Sequence, residues 1–200
     1  EFCLLQLKPM VIGNNKEVNI DIMKTIKQKE YICYSNQVLG NGQIDNISYI
    51  MYVNPKTFKR DKTEQIADEI GTLNKKLGNK NPYLLLGPGR WGTGDPWLGI
   101  PVNWEQINNT RAIIEIGIEA LNPDPSFGSH FFQNVTNLRI GYFTVLKKNN
   151  EKSINWDWIN SQKILYKTKY INVITLPNPL FIKIDGLEGK GMILKRRIKE

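Results

Sequence analysis

Three groups of residues in this chain have types and spacings that suit chemistry. The first lies in residues 83–101, where a short apolar run enters a loop with five glycines and three prolines. Gly87, Gly89 and Gly92 allow backbone angles and close approaches that other residues forbid. Pro88, Pro96 and Pro101 stiffen the path and exclude a helix through it. Arg90 and Asp95 are the charges of this loop. A rigid loop with a guanidinium in its middle suits a phosphate or carboxylate, which Arg90 can grip through two parallel N–H bonds. The spacing Gly87-x-Gly89-x-x-Gly92 matches the dinucleotide fingerprint, but that fingerprint needs a helix directly after it. Gly94, Asp95, Pro96 and Pro101 leave no room for one, and no Gly-Lys-Ser/Thr sequence follows. An anion-binding loop remains. The alternative is a purely structural loop, with Arg90 paired to Asp95 and the tryptophans packed inward.

The second group is Ser129-His130, next to Phe131 and Phe132. His130 is the single histidine of the chain and falls near the start of an expected helix. Free N–H groups and the helix dipole favour a negative group there. A histidine in that place can carry a phosphoryl group or exchange a proton with a neighbouring anion. It can equally be a packed side chain whose ring nitrogens are satisfied by neighbours. The third group is Glu115 with Glu119. Two carboxylates on one face can hold a magnesium ion or do acid–base work. Glu115, set among isoleucines, is the candidate metal ligand; the alternative is an ion pair with Arg111.

These residues need elements to position them. Residues 83–86 are too short for a helix and read as a buried strand. Residues 61–77 carry Ile66, Ile70, Leu73 and Leu77 on one helical face, with Asp61 and Glu64 as a capping pair and Gly78 as the stop. Further strands are expected over 2–7, 31–39, 47–53, 98–102, 110–118, 139–146, 170–176, 180–184 and 191–194. The Gly40-Asn41-Gly42 turn suggests that 31–39 and 47–53 pair as a hairpin. Along 110–118, Ala112, Ile114 and Ile116 should share one face and Ile113 and Glu115 the other, with a helix as the alternative. Short helices are expected near 19–29, 126–137 and 155–162. The alternation of strand, helix and strand predicts an α/β fold, or a mixed α+β one: a central mixed sheet, flanking helices and a C-terminal β-rich part. A boundary is expected near 147–153.

The chain has 200 residues, 40% of them hydrophobic and 23% charged, which is ordinary for a globular protein. It opens on Glu1 inside a strand-like run, so it reads as a piece of a longer protein. No apolar stretch reaches the length of a membrane span. Cys3 and Cys33 are too few for a disulfide framework and are expected to be buried free thiols. The cytoplasm is the compartment that fits. The net charge of +8 fits a solvated basic face. Trp104, Trp156 and Trp158 sit in no RNA-binding aromatic motif, so core packing is their expected role and nucleic acid is not an expected partner.

Residues 1–10, Glu-Phe-Cys-Leu-Leu-Gln-Leu-Lys-Pro-Met, resemble the last strand of the ATP-grasp-like nucleotide-binding module of phosphoenolpyruvate synthases and pyruvate phosphate dikinases. That strand usually reads Leu-Gln-x-Arg-Pro. Gln6 matches, and Lys8 replaces the arginine. Residues 87–101 and 128–134 resemble Gly-Pro-Gly-Arg-Trp-Gly and Gly-Ser/Thr-His-Phe-Phe-Gln blocks in the C-terminal region of similar bacterial proteins. The likeness covers residues 1–146. It implies an ATP-dependent phosphotransferase as the parent protein, with ATP and Mg2+ as its cofactors. It also implies a preceding ATP-grasp-like module as partner, whose final strand is residues 1–10 and whose nucleotide contacts include Gln6 and Lys8. Residues 11–146 would then be an α/β module and residues 147–200 a small β-rich part. The piece alone would be inactive. A small phosphorylated or carboxylated ligand would lie between Gly87, Gly89, Arg90, Gly92 and Asp95 on one side and Ser129-His130 on the other.

Overall fold

The fold follows from where continuous and alternating apolar runs can hide. The computed structural model describes residues 30–95, 97–117, 129–146 and 153–197; the side chains of residues 129, 130, 132 and 136 lie outside that description. The chain forms β1 (Tyr31–Ser35), β2 (Val38–Leu39), β3 (Asn41–Val53), α1 (Thr63–Leu77) and β4 (Tyr83–Pro88). Next come β5 (Arg90–Trp91), β6 (Gly99–Ile100), β7 (Thr110–Ile116), α2 (Ser129–Asn137) and β8 (Gly141–Val145). The last elements are α3 (Trp156–Asn160), β9 (Lys163–Lys167), β10 (Ile171–Asp185) and β11 (Lys190–Leu194). This is a mixed α/β fold, mostly strand, built on one large mixed sheet.

The sheet has nine strands. Eight lie in the order β1-β11-β10-β3-β4-β7-β8-β2, and β9 pairs with β10. Neighbours β3, β4, β7 and β8 are parallel. β4 is buried along its whole length, as a parallel strand covered on both faces should be. On β7, Ala112, Ile114 and Ile116 join one core and Ile113 joins the other, so the expected alternation holds. The first core also takes Ile50, Phe143, Ile182 and Ile193. The second is covered by Ile66, Ile70, Leu73 and Leu77 of α1.

Several boundaries differ from expectation. Asp61 and Glu64 do not cap α1: a 3-10 turn, Arg60–Lys62, precedes the helix, and no side chain bonds to its first N–H groups. The glycines at 40 and 42 take positive φ values of 100° and 117°, but they redirect the chain without closing a hairpin. β1 pairs with β11, β2 with β8, and β3 with β10 and β4. A glycine turn specifies a change of direction; the long apolar faces of β10 and β4 decide the pairing. The expected strands at 170–176 and 180–184 are one strand, β10. Its ladder with β3 is irregular between Thr175 and Leu180, where the exposed Pro177 and Pro179 sit. A disrupted ladder tolerates prolines that lack an N–H. The C-terminal part is β-rich, as expected, and its strands β10 and β11 lie within the large sheet, between β1 and β3.

The sheet also curls. β1 lies at one end of the strand order and β2 at the other, yet only Asn36 and Gln37 separate them. The Ser35 hydroxyl donates to the Thr144 carbonyl, and the Thr144 N–H donates to the Gln37 carbonyl at 2.8 Å. One short segment therefore ties both edges together.

Behind α1, a buried amide gathers several loops. Asn74 Nδ2 donates to Asn108 Oδ1 at 2.9 Å and to the Glu105 carbonyl at 3.2 Å. Its Oδ1 accepts from the Tyr83 hydroxyl at 3.0 Å and from the Asn109 N–H at 3.4 Å. Asn74→Ala leaves these groups without their partner and should cost about 2 kcal/mol. A lowered urea midpoint with an unchanged slope would register that cost.

Candidate functional site

The glycine-rich loop leaves the C-terminal end of β4, beside the C-terminal end of β7. Its backbone is pinned at each step. The Gly89 N–H donates to the Ile116 carbonyl at 2.8 Å, the Arg90 N–H to Leu98 at 3.1 Å and the Gly92 N–H to Ile100 at 3.0 Å. β5 and β6 pair in parallel, Arg90 opposite Gly99 and Trp91 opposite Ile100. Two glycines are required by contact. A Cβ at Gly99 would lie 2.0 Å from the Arg90 carbonyl oxygen. Gly92 has a φ of 69°, and a Cβ there would lie 2.4 Å from the Phe131 ring.

Trp91 is fully buried, and its indole N–H donates to the Ile114 carbonyl at 3.2 Å. Its backbone N–H donates to Glu115 Oε1 at 2.8 Å. Glu115 is fully buried as well. Burial pushes its carboxyl from an ordinary 4.5 up to about 7; the Tyr142 hydroxyl, the Trp91 N–H and the Arg90 charge pull the other way. Arg90 is half-buried and close enough for its charge to act on Glu115.

Asp95 serves the turn. Its Oδ1 accepts from the Trp97 N–H at 2.9 Å, and its N–H donates to the Thr93 hydroxyl at 3.1 Å. Its interactions stay within the loop, so the expected Arg90–Asp95 pair is absent among the described residues. Trp91 packs inward, as the structural reading expected, whereas Trp97 points out and is 63% exposed.

The loop and the second sequence block do meet. The Phe131 ring in the first turn of α2 rests on Gly92 and stands edge-on to Trp104, with centroids 6.3 Å apart. Ser129 and His130 begin the same turn, but their side chains lie outside the described residues, as do Glu119, Gln6, Lys8 and Cys3. Among the described residues no three metal-ligating side chains cluster, and Glu115 serves the loop backbone instead. The alternative Glu115–Arg111 pair is also absent among the described residues, because Arg111 is exposed near the start of β7. Trp156 packs on the first core, edge-on to Tyr52. Burial raises the Cys33 thiol far above its ordinary range, as expected for an inert thiol.

The sequence reading missed one feature. A cleft of about 380 Å³ opens at the N-terminal ends of β4 and β7 and contains none of the loop residues singled out above. Its only sequence signal is a pair of asparagine-rich stretches, at 79–81 and 108–109.

Comparison with known proteins finds no matching family model, no matching curated protein and no matching solved structure. Among the described residues no helix is long and apolar enough to cross a membrane.

Proposed function

We propose that this chain is the C-terminal module of a cytoplasmic phosphotransferase of the phosphoenolpyruvate synthase type, holding a phosphorylated or carboxylated ligand over the glycine-rich loop. The observation that carries this reading is the placement of Arg90. It stands on a backbone-pinned loop at the C-terminal ends of parallel strands, where ligands collect in α/β sheets. The first turn of α2 lies against that loop through Phe131 and Gly92. Arg90 clamps the anion, and His130 donates a proton or hydrogen bond to it. ATP would supply the phosphoryl group and belongs to the preceding module, where Gln6 and Lys8 make contact. The described residues offer no ligand set for Mg2+.

Calorimetric titration with phosphoenolpyruvate, pyruvate and ATP tests the proposal. Arg90→Ala should weaken binding of the preferred anion about tenfold or more. Absence of heat with all three, or equal binding by the variant, removes it. A second reading, a docking module without a ligand, is favoured by the exposed Trp97 and Leu98 at the loop tip. Self-association that Trp97→Ser abolishes, with no ligand bound, would support that reading instead.

A further inference from the structure

We propose a second ligand site, distinct from the glycine-rich loop: the cleft at the N-terminal ends of β4 and β7 binds a small sugar phosphate. Its volume, about 380 Å³, is near the lower end of small-molecule sites, which suits a monosaccharide phosphate better than a dinucleotide. Lys80 and Arg111 both line it, and no acidic side chain does. Among the described residues neither cation has an ion pair. Two unneutralised cations facing one hollow attract a phosphate, and Arg111 can fork two of its oxygens.

The rest of the wall suits hydroxyl groups and a ring. Asn46 and Asn108 present amides to the cleft. Asn108 gives its Oδ1 to Asn74, which leaves its NH2 to donate outward. Thr110 also lines the cleft; its hydroxyl is buried and lies against the Tyr83 phenol. The Tyr83 phenol beside it already donates to Asn74. Trp104 provides an apolar wall on which a sugar ring can lie, and it packs against Phe131. The Asn74 network fixes the floor, so little ordering remains to oppose binding.

Calorimetric titration of the full chain with ribose 5-phosphate, inorganic phosphate and ribose tests this site. Ribose 5-phosphate should bind more tightly than either of the others. The double variant Lys80→Ala/Arg111→Ala should lose about tenfold or more in affinity. Both side chains are exposed, so the variant should fold, which circular dichroism would verify. Arg90→Ala should leave this binding unchanged, which separates it from the loop. Inorganic phosphate binding as tightly as ribose 5-phosphate would overturn the sugar assignment. No binding by any probe, undiminished binding by the double variant, or binding lost in Arg90→Ala would overturn the site.

Discussion

Replacing Trp91 by alanine should lower the unfolding free energy by about 3–5 kcal/mol, the usual cost of emptying a large aromatic site in a core. The ring is fully buried and presses on Gly87, where a Cβ would lie 2.5 Å from ring carbon Cζ2. Its loss leaves a hole between the loop and β7 and deprives the Ile114 carbonyl of its indole donor. Trp91→Phe keeps most of the volume and removes only that donor, so its cost should be nearer 1 kcal/mol. Urea unfolding of the two variants separates packing from hydrogen bonding. A loss below about 1 kcal/mol for the alanine variant would mean that the loop is not anchored by this ring.

The second large effect is a dependence of stability on pH. The Glu115 carboxyl is raised from 4.5 to about 7 by burial. Across that window the folded chain keeps a proton that the unfolded chain has released. Stability from this group is therefore full below 4.5, falls as pH rises, and levels off above about 7. The total fall is about 3 kcal/mol. Glu115→Gln keeps an oxygen for the Trp91 N–H and removes the titration, so its stability should lack this component of the slope. Unfolding curves at pH 5 and pH 8 for both proteins measure the difference. Parallel profiles for wild type and variant would mean that the carboxyl is already ionised at pH 5.

What could be read from the sequence depended on whether the signal was local. α1 was legible because Ile66, Ile70, Leu73 and Leu77 repeat at helical spacing, and Gly78 ends it with a φ of 72°. β4 and β7 were legible from their apolar runs and alternation. The partner of each strand was not legible: residue 31 pairs with residue 194, and nothing near either position says so. The glycine-rich loop was recognisable as stiff, but its anchor was not. Glu115 suggested a metal ligand because a carboxylate among isoleucines looks functional; the Trp91 N–H it accepts from is 24 positions away. The cleft was hidden for the same reason, since its walls come from β3, the turn after α1, the segment around Trp104, the start of β7 and the turn before β8.

The position of β10 has a consequence for biosynthesis. It lies between β3 and β11, so two interior strands of the sheet are made of residues translated late. A nascent polypeptide that has emerged only as far as residue 160 lacks the β10 partner of β3. The β3–β10 ladder can therefore form only after synthesis passes residue 185.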